Sequence, residues 1–484
     1  MVFTGVVVAF TVFLRFLAIH MYDIHVDELI YAYYARAFAA GYLPLTFETF
    51  FLHPPGYYAL LTIWRSIFIH GQDIFVQLTI LRGFNVFLSG FTVLTIILIT
   101  KQVTKKTNFS LIAGALFALD SFAIRHNTRG LMETTTMFFL LLGFWLFLWN
   151  LNNPKAGSKA WLLTGLLFGC AIVTKDVAAI FIFIACLIML LCKVGPDLKA
   201  YRFIIPTTLL PYVIWVSILS VWGHLGQFIV HKASGIQRFL GVVQETGYNS
   251  ETSPAASSTF FSTLPNYVSS YIIMGLGVVS VLFLLLSKDK NIRRWGSIAA
   301  ASVMVIGYLV VAGTFEEQFL YYLLIPSFIT MGVAGLEIKT FIPRIYRFWV
   351  GIVFIVGIAG VLLFGAGRYV VNMSSPDDGW QKTIEWVYAN VPPKSTVCAF
   401  AQGDYILKGE FFLNDHLFTV CAWHSLSDIN AHRVQYVIVP EKLVQANYLS
   451  LTSKDFADIK PESKVVFDYT SRDSGRFLIL EISK

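Results

Sequence analysis

The stretch HVDELIYAYYARAFAAGYLPLTFETFFLHPPGYYALL, His25 to Leu61, stands directly behind the first long apolar run of the chain, Val2 to Met21. Adjacent carboxylates and a His-Pro-Pro at the mouth of such a run put polar chemistry where a chain leaves lipid. The run reads as a retained first span, because it lacks a basic start and a small-x-small cleavage site and carries Arg15. ELIYAYYARAFAAG, ending on Gly41, has the form of a helix closed by glycine. Two readings of its start stand side by side. Asp27 caps the helix while Glu28 complements its dipole, or one carboxylate faces a reacting atom while the other holds a neighbour. Successive helical residues point about 100° apart, so the two cannot share one task.

Outward from this stretch, 56% of the 484 residues are hydrophobic, 13% are charged, and the mean hydropathy is +0.67. Apolar runs near bilayer length recur at roughly 2–21, 78–100, 109–124, 131–149, 160–174, 177–192, 203–223, 267–287, 296–313, 318–336 and 348–367, eleven in all. A polytopic helical membrane protein is the class this composition allows. Five linkers, KQVTKK, NNPKAGSK, CKVGPDLKAYR, SKDKNIRRW and EIKTFIPRIYR, hold fifteen Lys and Arg, whereas TFEEQ is acidic. The positive-inside rule sends the basic linkers to the cytoplasm. By parity, 22–77, RHNTRGLME, the Thr174-Lys175-Asp176 turn, 224–266, TFEEQ and the C-terminus then lie on the extracytoplasmic face. Pro54 to His70 is expected as an interfacial helix, since another span would break that parity. The basic linkers account for the net charge of +7, and no nucleic-acid partner is expected.

From about Asn372 the composition is that of a soluble domain. Asp378 is placed to cap a helix with a Trp380, Ile384, Val387, Tyr388 stripe, which Pro392-Pro393 ends. STVCAF, HLFTVCAW, VQYVIVP, SKVVFDY and RFLILEI read as short strands. The expected division is therefore a membrane domain at 1–371, with outer loops at 22–77 and 224–266, and an extracytoplasmic α/β domain at 372–484. Cys170, Cys186 and Cys192 sit in or beside apolar helices without metal-ligand spacing. Cys398 and Cys421 share the polar region, where a disulfide and two free thiols are both open. There is no internal repeat and no low-complexity tract.

The expected outer face collects the chemistry. His53 in HPPGYY stands where a Pro-Pro pair stops a helix and fixes the backbone. In RHNTRGLME, Arg125, Arg129 and Glu133 are either a membrane-edge ion pair, with Arg129 and Glu133 one turn apart, or groups that meet a substrate. Lys175 and Asp176 in TKD carry the same alternative. Loop 224–266, with GQFIVHKASGIQRFLGVV followed by NSETSPAASSTFFS, is a flexible connector or a lid over the site.

Together these pieces resemble the polyprenyl-phosphate-sugar dependent glycosyltransferases of the GT-C fold, in the protein O-mannosyltransferase and lipid A aminoarabinose transferase branch. The resemblance rests on DE after the first span, the A-x-x-x-x-x-G helix, HPP, R-x-x-x-E opening the fourth span, TK after the fifth and EEQFLYYLLIP near the tenth. It covers Arg15 to Pro326. It implies a polyprenyl-phosphate-linked sugar donor, a hydroxyl-bearing acceptor (protein, lipid or glycan), and a site on the extracytoplasmic side of a cell membrane. Asp27 is then the catalytic base and Glu28 its orienting neighbour. His53, Arg129 and Lys175 occupy places where relatives meet the lipid phosphate. Glu133 matches an acid of that helix, and Arg125 and Tyr321 support the site. Ile30 departs from the Arg that one relative has at that place. The large sugar-binding insert of eukaryotic protein mannosyltransferases has no counterpart, and neither does the W-W-D motif of lipid-diphosphate enzymes.

The chemistry agrees with that resemblance. A lipid phosphate leaves as a stable anion, so one base on the acceptor hydroxyl suffices, and one displacement inverts the anomeric centre. Glycosidases, which expel a poor alkoxide, need two cooperating carboxyl groups. No cofactor is required, although a divalent cation held by His25, Asp27, Glu28 and His53 is an alternative on the same face. A secondary transporter and a non-catalytic membrane scaffold with an external domain are the rival readings. The first conflicts with the missing repeat and with charges gathered at one face. The second leaves the DE, HPP and R-x-x-x-E combination unexplained.

Overall fold

The computed structural model describes residues 2–45, 48–69, 74–153, 155–244, 264–341, 343–400, 418–447 and 452–482. Helix α1, Val2–Leu17, leads to α2, Val26–Ala39, and through a 3-10 turn at Glu48–Leu52 to α3, Gly56–Phe68. Next come α4, Ile74–Thr104, α5, Thr107–Leu119, α6, Ser121–Asn127, and α7, Met132–Asn152. They are followed by α8, Ser158–Thr174, α9, Ala178–Leu191, α10, Leu198–Val221, and α11, Leu225–Phe239. The helical part ends with α12, Val268–Leu285, α13, Lys290–Val311, α14, Tyr321–Phe341, and α15, Arg347–Ser374. Each apolar run of the sequence holds a helix. Among the described residues seven segments are long and apolar enough to cross a bilayer, while α1, α8 and α9 are apolar but shorter. The chain is an integral membrane protein, and α15 keeps Phe348, Trp349, Val353, Ile355 and Leu363 exposed on its surface, as lipid contact demands.

One expected span is not a single helix. The run at 109–124 breaks at Asp120, and α5 and α6 are bent by 66°. The physical reason is the carboxylate, which accepts the Ala123 amide at 2.8 Å as N-cap of α6 and the Ser270 hydroxyl at 2.7 Å. Elsewhere small residues let helices close on each other. At Gly169 of α8 a Cβ would lie 2.8 Å from the Thr208 carbonyl of α10. Helix α15 continues to Ser374, past the expected boundary at 371.

The five expected strands all form: β1, Ser395–Phe400, β2, Phe418–Trp423, β3, Tyr436–Pro440, β4, Ser463–Ser471, and β5, Gly475–Ile482. Their order is β2-β1-β3-β5-β4, with β1 parallel to β2 and β3, and β5 antiparallel to β3 and β4. Cys398 and Cys421 face each other across β1 and β2 and form a disulfide, while Cys170, Cys186 and Cys192 are free.

Helix α16, Gly379–Asn390, packs Ile384, Val387 and Trp380 on the sheet, with the Trp380 and Phe477 rings 5.2 Å apart. Asp378 stands at the N-cap position as expected, but its side chain makes no capping hydrogen bond. Its Oδ1 accepts the Tyr469 hydroxyl at 2.7 Å, and the amides of Trp380 and Gln381 donate to Asp23, at 2.8 and 3.3 Å. Asp23 comes from the connection between α1 and α2, so the sheet-bearing part is docked on the segment that opens the site. The Asp377 amide donating to the Met21 carbonyl at 3.0 Å, and Asn266 donating to Asp473 at 2.9 Å, add to that junction.

Candidate functional site

Helix α2 begins with a capping box that neither sequence reading contained. His25 is the N-cap: its Nδ1 accepts the Asp27 amide at 3.2 Å, and the Glu28 Oε1 accepts the His25 amide at 3.0 Å. Asp27 is therefore not the cap. Its side chain is 30% exposed, 3.7 Å from His25 Nδ1, and among the described residues its carboxylate accepts no hydrogen bond.

Glu28 is the opposite case. The side chain is buried, and Arg82 binds it bidentately, Nε to Oε2 at 2.7 Å and Nη2 to Oε1 at 2.9 Å. The Gly130 amide adds a third donor at 2.8 Å. Arg82 spends its remaining protons on the carbonyls of Ile19, Tyr22 and Asp23, at 2.7, 3.0 and 3.1 Å. A buried, fully hydrogen-bonded pair of this kind fixes geometry, because losing either partner strands a charge. Glu28 thus clamps the start of α2 to α4 and to the 128–131 turn; with its oxygens occupied, it has no lone pair turned to a reacting atom. Glu28, which the resemblance sets beside Asp27 in the catalytic pair, is therefore a clamp at the corner of α2 and not a group that faces a reacting atom. Arg82, inside the second apolar run, carried no sequence signal beyond being a charge in a span.

The 128–131 turn also revises RHNTRGLME. Leu131 is the N-cap of α7, so helix geometry is interrupted between Arg129 and Glu133 and the expected ion pair does not form. Asn85 of α4 holds the turn through the carbonyls of Arg129 and Leu131, at 2.6 and 2.7 Å. Glu133 pairs instead with Lys175 at the end of α8, both buried. Arg125 pairs with Glu317 at 2.8 Å. Arg129 is only 7% exposed and has a buried Nε without a partner among the described residues. Tyr321 lies behind the site: its hydroxyl accepts Asn127 Nδ2 at 2.7 Å, while Asn127 Oδ1 accepts Arg15 Nε at 2.8 Å.

HPPG joins the TK turn by backbone contact. A Cβ at Gly56 would lie 2.6 Å from the Val173 carbonyl, so only glycine lets the start of α3 rest on the end of α8. His53 and Lys175 are brought to the same place by that contact. Helix α11 closes over them: Lys232 donates to the Leu52 carbonyl at 2.6 Å and pairs with Asp176, and Arg238 pairs with Glu316 at 2.8 Å. The polar run that follows in that loop, NSETSPAASSTFFS, lies outside the described residues.

Two carboxyls of the α1–α2 region are raised to about 7, Asp23 and Asp27, and of these Asp23 is hydrogen-bonded to the amides of Ile24, Trp380 and Gln381. Burial, then the negative charges of Glu316 and Glu133, push the Asp27 carboxyl up to about 7, against an opposing pull from Lys175. Burial and Arg129 push His25 down to about 4, and burial with Lys175 and Lys232 holds His53 well below the ordinary histidine range. Among the described residues no three His, Cys, Asp or Glu side chains are grouped to hold one ion, so His25, Asp27, Glu28 and His53 do not assemble as a metal site. His25 is occupied as a cap and Glu28 by Arg82.

Residues 56–234 match the family model described as dolichyl-phosphate-mannose-protein mannosyltransferase. No curated protein matches the chain in sequence. In structure it is similar to ArnT from Cupriavidus metallidurans bound to undecaprenyl phosphate, with a TM-score of 0.59 and 13% identity, over 98% of this chain and 97% of that one. The apo ArnT gives 0.58 and 14% identity with the same coverage. The oligosaccharyltransferase of Archaeoglobus fulgidus, in complex with Zn and sulfate, gives 0.57 and 12%, over 99% of this chain and 73% of that one. The chain thus shares its fold with ArnT and the archaeal oligosaccharyltransferase, and its segment 56–234 matches the mannosyltransferase family model.

Proposed function

We propose that the chain transfers a hexosyl or pentosyl group from a polyprenyl-monophosphate donor to a hydroxyl acceptor, with inversion, on the extracytoplasmic face of the cell membrane. Asp27 takes the proton of the acceptor hydroxyl. The hydroxyl oxygen attacks the anomeric carbon, and the bond to the phosphate oxygen breaks with its electron pair leaving on the phosphate. The products are the glycoside, the polyprenyl monophosphate and a protonated Asp27. Arg129 meets the phosphate as its charge grows, and His53 and Lys175 shape the field beside it.

The observation that carries the reading is a contrast between carboxylates. Glu28, Glu133, Asp176, Glu316 and Glu317 are each in an ion pair, whereas Asp27 accepts no hydrogen bond among the described residues and has its pKa raised to about 7. A base poised near the working pH and turned partly to solvent is what hydroxyl activation needs. The unpaired Arg129 supplies the complementary anion contact. The undecaprenyl phosphate in the similar ArnT structure supports a donor of that class.

The test is a transfer assay on the purified full chain with polyprenyl-monophosphate sugars and a panel of protein, lipid and glycan hydroxyl acceptors. Release of polyprenyl monophosphate in step with a glycoside of inverted anomeric configuration is expected. A retained configuration, or donor hydrolysis indifferent to every acceptor, counts against the mechanism.

A further inference from the structure

His126 is a residue to which neither the motifs nor the mechanism gives a task. It sits in the last turn of α6, beyond the bend at Asp120, with its ring 4.4 Å from that of Phe122 and 5.4 Å from that of Tyr321. The residue is 5% exposed, and neither ring nitrogen has a hydrogen-bond partner among the described residues. Unpaired buried polar atoms are costly and rare, so two on one ring are unusual unless a ligand completes them. The backbone is held: Asn127 is tied to Arg15 and Tyr321, and the Thr134 hydroxyl donates to the His126 carbonyl at 3.3 Å. The imidazole is therefore presented at a fixed place.

The groups that act on it most strongly are basic: Arg125, Arg129, His25 and Lys175. Two of these charges are matched, Arg125 by Glu317 and Lys175 by Glu133. His25 is engaged as the cap of α2. Arg129 is left with a buried, unpaired Nε, three residues along the chain from His126. An unmatched guanidinium beside an imidazole with no partner makes a site for an oxyanion with several acceptor oxygens. On the proposed transferase reading, that oxyanion is the donor's phosphate.

We infer that His126 is a phosphate-binding residue, acting with Arg129: an imidazole N–H donates to one phosphate oxygen and the guanidinium to another. No bond is made or broken at His126, and Lys175, already committed to Glu133, stands behind the site as charge. The shared chemistry is a phosphate monoester or inorganic phosphate, and the experiment separates the two.

The full chain in detergent is titrated with a long-chain polyprenyl monophosphate, with the matching phosphate-free polyprenol, and with inorganic phosphate as competitor. His126→Phe keeps an aromatic ring between Phe122 and Tyr321, and His126→Gln keeps an N–H donor and serves if the Phe variant unfolds early. Losing one charge-assisted hydrogen bond is expected to weaken the monophosphate about tenfold in His126→Phe and less in His126→Gln, leaving the polyprenol unchanged. Inorganic phosphate should compete more weakly against His126→Phe than against the wild type if the anion itself is read. If it competes with neither while the monophosphate effect stands, the site reads the phosphate only on its lipid. Wild-type monophosphate affinity in both variants overturns the inference, and so does an equal loss for the polyprenol. Should Arg129→Gln weaken the monophosphate while the His126 variants do not, the inference falls and the transferase reading stands. If neither residue matters and no transfer occurs, the reading itself falls.

Discussion

On the proposed mechanism Asp27 carries the chemistry because its neighbours are engaged elsewhere. With His25 as cap and Glu28 bound to Arg82, the carboxylate between them is left unpaired, at a pKa of about 7 compared with roughly 3.9 in an unfolded chain. A raised folded-state pKa means that ionising Asp27 opposes folding. That cost starts as pH rises past the unfolded value and is complete above about 7. Asp27→Asn is thus expected to unfold at a higher temperature than the wild type at pH 8 and at the same temperature near pH 4, which scanning calorimetry checks. On the proposed mechanism the wild-type rate climbs through about pH 7 and levels off above it. Arg82→Gln leaves Glu28 charged and buried, and a loss of about 3–5 kcal/mol is expected in denaturant titration. Asp27 and Glu28 were legible as a pair in the sequence; their division of labour was not. It depends on Arg82, 54 positions away, and on a histidine cap, a choice the usual Ser, Thr, Asp and Asn preference does not suggest.

At the scale of elements, the site is made by two interruptions and one close approach. The bend at Asp120 turns α6 out of the line of α5, and the 128–131 turn starts α7 afresh, so Arg125 and His126 close the short α6 and Arg129 lies in the turn that follows. The hydropathy run at 109–124 concealed this, since one carboxylate hardly lowers a windowed average. Asp120 was the available signal, a charge inside a span followed by a run able to start a helix. The close approach is that of Gly56 on Val173. Gly56→Ala forces α3 away from α8 and separates His53 from Lys175. Overpacking of this kind costs about 1–3 kcal/mol, and a larger fall in transfer rate than in unfolding temperature is expected if HPP positions the donor. Helix α11 falls in the loop that the sequence reads as a connector or a lid, and its ion pairs to Asp176 and Glu316 were beyond the sequence because both partners lie on other loops.

At the scale of the molecule, apolar runs and alternating strands were readable since each reports a local period, 3.6 or 2 residues, that burial imposes. The helices of the apolar runs and the five strands followed from that, the break at Asp120 apart. What joins them did not: Asp23 caps α16 across 357 residues, a contact with no local pattern. It couples the sheet-bearing part to the α1–α2 connection, four residues before Asp27. The Cys398–Cys421 disulfide closes a loop with a sequence separation of 23 between two edge-side strands. Replacing both cysteines by serine is expected to lose about 3 kcal/mol of that part's stability, read by thermal unfolding with and without reductant. The wild type under reductant should approach the variant.

The most direct measurement compares wild type and Asp27→Asn in sugar transfer from a polyprenyl-monophosphate donor at pH 8, with donor binding measured on the same preparations. If Asp27 is the base, transfer falls by about 10²–10⁴ while donor affinity and unfolding temperature do not fall. Transfer by Asp27→Asn at the wild-type rate, with the donor bound equally well, would contradict it.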